Sequence, residues 1–343
     1  MEEEFMNRCI QLAQLGLGNV SPNPMVGALL VHEGKIIGEG HHQKFGGAHA
    51  EVNCLNSVKE ENRKWIEKST IYVSLEPCAH FGKTPPCTSL IIEHRIPKVV
   101  IGCRDIYKEV DGKGIQQLKD AGIEVVEGVL EKECIELNKR FFTFQQQQRP
   151  FIILKWAQSA NGKVGALSGD RILISNEYSN RLVHKWRSEE AAILVGRTTV
   201  LKDNPSLTTR LWKGKNPMRL VIDPALKIPN SAQIFNEEAG TIIFNFLEDA
   251  VNKNIRFIKL ERVNFLSSLL KTLYELGIQS VLVEGGPVTH QSFIAAGWWD
   301  EARVIMNTEL FIEDGIASPE LKGAELVKQE DYEKDLISYF NKK

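Results

Sequence analysis

Apolar residues fall along the chain in short runs, and between the runs they recur at helical spacing, so strands and helices alternate throughout. "MEEEFMNRCIQLAQLGLG" has the pattern of an amphipathic helix. "MVGALLVHEGKIIGEG" reads as a β-hairpin turning at Glu33 and Gly34. A helix over about Ala48 to Ser57 follows, then the strand "STIYVSLEP", the helix "TSLIIEHRI", the strand "KVVIGC", the helix "GIQQLKDAG" and the strand "IEVVEG". This order predicts a three-layer α/β domain.

"FFTFQQQQRPFIILKWAQS" interrupts it with four glutamines and an Arg-Pro between two apolar runs, which reads as a linker. The predicted domains are residues 1–147 and 148–343. In the second, strands are expected at "FIILKWAQS", "AAILVG", "MRLVID", "TIIFN", "IRFIKL", "SVLVEGG" and "RVIMN". Helices are expected at "NEYSNRLVHKWRSEE" and "FLSSLLKTLYELG", and no repeat relates the halves.

With 343 residues, 43% apolar and 25% charged, the chain has the length and composition of two globular domains. No stretch approaches the roughly 18 unbroken apolar residues of a membrane helix, and the acidic start lacks the features of a secretory signal. A cytoplasmic protein is expected, with no membrane partner. The net charge of -2 gives no general attraction to nucleic-acid phosphates, so a small-molecule partner is favoured. Six irregularly spaced cysteines in so long a chain do not form a disulfide framework; in a reducing compartment they stay thiols or bind metal.

Two of them sit in "EPCAHFGKTPPC", where Cys78 ends a strand region and Cys87 begins a helix. In "FGGAHAEVNCL", His49 and Glu51 open an apolar helix instead of lying on a solvated face. Two thiolates and an imidazole are three ligands for tetrahedral Zn²⁺, with the fourth position left for water, as in catalytic sites. The metal acidifies that water, and Glu51, two residues past His49, can carry its proton to a leaving nitrogen without ligating. Cysteines nine apart are weak on their own, because a buried cysteine commonly acts as a small hydrophobe. His-x-Glu followed by Pro-Cys and a later Cys is together the signature of zinc deaminases. A structural zinc, or no metal, is the competing reading, and His32, His41, His42 and His80 rank below His49 as ligands.

"SPNPMVGALL", "GAHAE" and "LEPCAHFGKTPPC" resemble the deaminase half of the bifunctional riboflavin-biosynthesis deaminase/reductase family, down to the nine-residue cysteine spacing. The resemblance implies a cytidine-deaminase-like fold. It also implies hydrolytic removal of the 2-amino group of 2,5-diamino-6-(ribosylamino)-4(3H)-pyrimidinone 5'-phosphate, with Asn23, His42 and Lys83 on the substrate. A lysine suits a phosphate as a point charge. After Asp105 the family commonly has Pro-Asn; this chain has "IYKEV", with Tyr107 in the asparagine's place.

In the second half, "SVLVEGGPVTHQSF" reads as a strand, a Gly-Gly turn and a helix opening near Thr289, an arrangement that can accept a diphosphate but is more often only a tight turn. With "LKWAQSANGKV" and "AAILVGRTTVLKDNPSLTTR", it resembles the reductase half of the same family, of dihydrofolate-reductase-like fold. The resemblance implies NADPH-dependent reduction of the ribosyl group to ribityl. Lys155, Arg187, Leu207, Arg210 and Glu284 are then expected at the substrate. Ala157, Thr199, Asp203, Gly286, Pro287, Val288, Thr289, His290, Gln291 and Ser292 are expected at the cofactor. Arg197 is expected as a further cofactor residue, placed as where dihydrofolate reductases grip the 2'-phosphate, the competing reading being an arginine that points into solvent. "SGDRILISN" departs from the family, with Arg171 and Leu173 where relatives carry serine and tryptophan.

Three functions are weighed: the bifunctional enzyme, a homo-oligomer being expected; a deaminase whose second half only binds nucleotide or supports assembly; and a nucleic-acid-editing deaminase. Retention of Lys155, Asp203 and Glu284 counts against the second, and the charge balance without aromatic-basic stripes counts against the third.

Overall fold

A computed structural model describes residues 1–79, 81, 85–107 and 110–343, and the chain divides into two compact units, Met1–Gln148 and Arg149–Lys343.

The first unit runs α1 (Glu2–Gln14), β1 (Gly27–His32), β2 (Lys35–His41), α2 (Ala50–Asn56), β3 (Thr70–Leu75), α3 (Cys87–Glu93), β4 (Lys98–Cys103), α4 (Lys113–Asp120), β5 (Glu124–Glu127), α5 (Glu131–Leu137) and α6 (Lys139–Gln147). Its described strands form one sheet in the order β2-β1-β3-β4-β5, antiparallel at β1 and parallel from β3 to β5. Glu33 and Gly34 both have positive φ, 45° and 75°, as a two-residue hairpin turn requires. The twofold alternation of β1 sends Ala28 and Leu30 to one face with α2, α3 and α4, and Leu29 and Val31 to the other with α1, α5 and α6. Gly40 of β2 lets α2 settle onto the sheet, since a Cβ there would lie 2.2 Å from the Cys54 amide nitrogen.

The glutamine tract is not an open linker. It is helical as α6, because Phe141, Phe142 and Phe144 are buried, and this anchorage outweighs the polar composition. The helix stops at Gln148, which adopts φ 51°, immediately before Arg149-Pro150. A 3₁₀ segment at Glu60–Lys68 and helix α5 were likewise not anticipated.

The second unit runs β6 (Phe151–Ser159), β7 (Lys163–Ala166), α7 (Glu177–Glu189), β8 (Ala192–Gly196), α8 (Arg197–Asp203), β9 (Met218–Ile222), β10 (Thr241–Asn245), β11 (Ala250–Asn252), β12 (Ile255–Lys259), α9 (Phe265–Glu275), β13 (Ser280–Val283), α10 (Pro287–Ala296), β14 (Glu301–Asn307), β15 (Gly315–Ala317), β16 (Ala324–Tyr332) and β17 (Asp335–Lys342). The main sheet has the order β11-β12-β10-β9-β8-β13-β6-β14-β17-β16, and β7 pairs with β15 apart from it. Leu269, Leu270 and Leu273 of α9 and Phe293 and Ile294 of α10 cover one face; Val183 and Trp186 of α7 and Val200 of α8 cover the other. β16 and β17 had no expectation from the sequence, because the largely exposed β16 mixes Glu325, Lys328, Glu330 and Asp331 with few apolar residues. No helix among the described residues is long and apolar enough to cross a membrane.

Candidate active sites

In the first unit, three elements converge. His49 is the N-cap of α2, Cys87 is the first residue of α3, and Cys78 lies in the loop after β3. One donor atom from each lies within 4.8 Å of the others. His49 Nδ1 is 3.3 Å from Cys87 Sγ and 3.6 Å from Cys78 Sγ, and the Cys87 amide donates to Cys78 Sγ at 3.3 Å. The Cys87 thiol and amide together with His49 draw the Cys78 thiol down to about 4, overcoming burial, while sharing that proton pushes Cys87 up. One imidazole and two thiols, one already favouring thiolate, form a donor set that fits a zinc ion.

Glu51 stands in the first turn of α2, buried to 3% exposure, facing the same sulfurs. Burial raises its carboxyl above the usual range, and the nearby Cys78 adds to this. A carboxylate so placed can exchange a proton at the pH where it works. Behind the cluster, His42 meets Asn23: the Asn23 amide and His42 Nε2 are 3.1 Å apart, and His42 Nδ1 is 2.9 Å from the Ala48 carbonyl. That carbonyl must accept, so Nδ1 carries the proton, Nε2 accepts from Asn23, and Asn23 Oδ1 is left as an acceptor. Lys83, the expected phosphate contact, lies outside the described residues, as does His80.

In the second unit, a cleft of about 910 Å³ opens beyond the C-terminal ends of β8 and β13, where open parallel sheets bind ligands, and is lined by Lys155 to Ala157 from the middle of β6. The parallel register pairs Val283 with Leu154, which places Lys155 and Glu284 side by side. Arg187 of α7 grips Glu284 with two bonds, Nε to Oε1 at 2.8 Å and Nη2 to Oε2 at 2.9 Å, and Lys155 Nζ lies 3.6 Å from Oε2. Burial opposes charge on Glu284, but Arg187 and Lys155 outweigh it and hold the carboxyl at about 2. Burial lowers Lys155 in spite of Glu284. The Arg187 side chain is therefore held by its carboxylate partner and only 13% exposed to solvent.

Ala157, Thr199, Asp203, Leu207, Arg210, Gly286, Pro287 and His290 border the same cleft, with Arg171 and Leu173 of the divergent segment. Leu207 is 2% exposed yet has φ 55°, a left-handed backbone uncommon for leucine. Helix α10 opens at Pro287, earlier than expected, with Gly286 as its N-cap. A Cβ on Gly286 would meet only Thr199 Oγ1, at 4.0 Å, so the backbone faces open space at a positive helix end, a cradle that fits a diphosphate. The remaining expected cofactor residues do not border the cleft. Val288 is 83% exposed, Thr289 packs on Gly285, Gln291 accepts from the Glu320 amide, and Ser292 donates to the Val288 carbonyl. Arg197 lies 3.7 Å from Asp223.

Two residues went unnoticed in the sequence. His184 borders the cleft three residues before Arg187, a helical spacing that marked the face they share. Glu76 is buried beside Cys78 within the quoted motif, and nothing in its neighbours signals that its carboxylate points away from the sulfurs.

Residues 1–103 match the family of the cytidine and deoxycytidylate deaminase zinc-binding region, and residues 150–311 match the RibD C-terminal domain. The riboflavin biosynthesis protein RibD of Aquifex aeolicus (strain VF5) is 42% identical over 357 residues, spanning 100% of this chain and 99% of the relative. The crystal structure of a diaminohydroxyphosphoribosylaminopyrimidine deaminase/5-amino-6-(5-phosphoribosylamino)uracil reductase from Thermotoga maritima is similar with a TM-score of 0.91 and 38% identity, covering 100% of this chain and 99% of the other. Acinetobacter baumannii RibD matches with a TM-score of 0.88 and 29% identity, over 99% and 98%. These matches run through both units, the cytidine-deaminase-like first and the dihydrofolate-reductase-like second, and the chain belongs to the RibD family of bifunctional deaminase/reductases of riboflavin biosynthesis.

Proposed function

We propose that residues 1–147 deaminate 2,5-diamino-6-(ribosylamino)-4(3H)-pyrimidinone 5'-phosphate and that residues 148–343 then reduce the ribosyl group of the product to ribityl with NADPH. The observation that carries the first step is the convergence of His49, Cys78 and Cys87 with the buried carboxyl of Glu51, whose proton affinity burial raises. His49, Cys78 and Cys87 would hold a zinc ion, which would supply the Lewis acidity that makes water a nucleophile near neutral pH. Glu51 takes a proton from the attacking water and passes it to the 2-amino nitrogen, which leaves as ammonia while the water oxygen stays on the ring carbon. Asn23 Oδ1 accepts from a ring or amino N–H, and Lys83 meets the phosphate.

For the second step, NADPH bound in the cleft would supply the hydride that C1' of the ribose requires. Gly286, Pro287, Thr199 and Ala157 hold the cofactor. Lys155, whose ammonium burial makes more acidic, gives a proton to the ring oxygen as it becomes a hydroxyl, and Glu284 and Arg187 keep the lysine in place. Arg210 and the Leu207 backbone complete the substrate side. The enzyme is expected to work in the cytoplasm as a homo-oligomer, to be checked by sedimentation.

Incubating the purified chain with the diaminopyrimidine phosphate, with and without NADPH, tests both steps. Deaminated product alone without NADPH, and the ribityl product only with it, are the expected results. Deaminated product under both conditions would reduce the second unit to a binding or assembly role.

A further inference from the structure

Among the described residues, the buried carboxylate of Glu76, 4% exposed, bonds to no sulfur and no imidazole, yet it stands two residues before Cys78. Four backbone amides converge on it. Oε1 accepts from Gly114 at 2.9 Å and from Ile115 at 3.2 Å; Oε2 accepts from Gly112 at 3.0 Å and from Asp105 at 3.3 Å. Three of these amides belong to the opening of α4, whose otherwise unpaired N–H groups and positive end suit a carboxylate. The fourth ties in the loop after β4, where Asp105 in turn accepts from the Tyr107 amide at 2.8 Å.

The backbone is fixed as tightly as the side chain. The Glu76 amide donates to the Cys103 carbonyl at 3.0 Å, continuing the pairing of β3 with β4. Pro77 follows with its restricted φ. Gly114 rests directly on it, since a Cβ there would lie 2.1 Å from the Pro77 carbonyl oxygen. The Cys78 carbonyl then accepts from both the amide and the hydroxyl of Thr88, each at 3.2 Å, and that hydroxyl also meets Gln117 of α4 at 2.7 Å. Cys78 is thus strung between α4 and the first turn of α3, which bears Cys87.

We infer that Glu76 is a positioning residue for the metal centre: by clamping the turn Glu76-Pro77-Cys78 to the start of α4, it sets where Cys78 Sγ stands relative to His49 and Cys87. The inference rests on the reading of those three residues as zinc ligands. A carboxylate is required because all four partners are donors. A glutamine would turn its own NH₂ toward one pair of amides and open the clamp on that side. Groups that orient metal ligands from behind typically change metal affinity 10- to 100-fold when replaced.

The test uses the full chain. Zinc affinity is measured by competition with a chromophoric chelator, and ligand geometry by the thiolate-to-metal absorption of the cobalt-substituted protein. Glu76→Gln is expected to weaken zinc binding by about 10-fold or more and to alter the cobalt spectrum, with reductase turnover on deaminated substrate unchanged. Leu118→Val, buried on the same helix but giving no amide to the clamp, lowers the melting temperature but should leave affinity within about twofold, which separates loosening of α4 from loss of the clamp. If Glu76→Gln does not fold, Glu76→Asp decides, because it keeps the charge but withdraws the oxygens by one methylene; the same loss is expected. Wild-type affinity and an unchanged cobalt spectrum in the folded variant would overturn the inference and leave Glu76 as a helix cap alone. A wild-type chain that takes up no zinc would instead remove the ligand assignment itself.

Discussion

The backbone amide of Arg210 donates to Nδ1 of His184 at 2.9 Å, and this one bond decides which ring nitrogen bears the proton. An amide can only donate, so Nδ1 is the acceptor and the neutral ring is protonated on Nε2. Burial, then Arg187 and Arg210, hold the imidazole near 4. The histidine is a neutral strut that fixes the loop carrying Leu207 and Arg210.

His184→Gln should therefore keep most reductase activity, since a side-chain carbonyl can replace Nδ1. His184→Ala should raise the KM for the reductase substrate by about tenfold, roughly 1.4 kcal/mol, through a loosened Arg210. The pH dependence has a definite sign. The folded value lies below the unfolded value of 6.5, so the unfolded chain binds the proton first, and this residue reduces stability as pH falls from 6.5 toward 4. Unfolding by urea at pH 7 and pH 5, followed by tryptophan fluorescence, should show a smaller difference in His184→Gln than in wild type. An equal difference in both would mean that the ring is charged in the folded protein.

Glu284→Gln should be severe in the second unit. It removes one charge from a buried group of three and leaves Arg187 and Lys155 facing each other unpaired, a loss on the order of 3–5 kcal/mol. Its carboxyl lies at about 2 when folded against 4.5 ordinarily, so its contribution is complete above 4.5 and lost as pH falls through 2. Thermal unfolding near neutral pH checks the first statement, and an acid titration of wild type against the variant checks the second. A variant as stable as wild type would mean that the arginine finds another acceptor.

Much of this arrangement was legible in the chain. The alternation of β1, the Glu33-Gly34 turn and the apolar helix behind His49 are local patterns, and the sheet places them as the patterns imply. Lys155 in the middle of β6 and Glu284 just past the end of β13 are brought together by a parallel register that extends the strand reading. What stayed hidden depends on contacts distant in sequence. The glutamine tract is helical because Phe141 and Phe142 find a sheet to cover and Phe144 is buried with them in the same helix. Glu76 reaches amides 29 to 39 residues away, and no local spacing encodes that. The run from Gly286 to Ser292 was read as one cofactor-facing segment, but a helix turns its residues through all directions, and of this run Gly286, Pro287 and His290 border the cleft.

Glu51→Gln should retain zinc and fold while deamination falls by at least about 100-fold, because the amide keeps the shape but cannot shuttle a proton. Reduction of already deaminated substrate should be unchanged. Deamination near the wild-type rate would assign the proton transfer to another group.

Cys87→Ala should abolish stable zinc binding, leaving one thiol and one imidazole where 3.3 Å separates His49 Nδ1 from the lost sulfur. Metal analysis of the dialysed protein measures this. Full zinc occupancy in the variant would overturn the ligand set.

The last prediction concerns cofactor choice. Arg197 begins α8, two residues before Thr199 at the cleft, and is 38% exposed. Its Nη1 lies 3.7 Å from Asp223 Oδ1, too far for a hydrogen bond but close enough for attraction, and Oδ1 has no other partner among the described residues. The aspartate therefore holds the guanidinium in place without using its donors, which remain available to a phosphate in paired, charge-assisted bonds. Arg197→Ala should raise the KM for NADPH by about tenfold, equivalent to about 1.4 kcal/mol, and leave that for NADH nearly unchanged. Asp223→Asn should act in the same direction but more weakly, because the guanidinium stays and only its placement suffers. Equal losses with both cofactors in Arg197→Ala would assign the arginine to neutralising Asp223, and unchanged kinetics with both would place it in solvent.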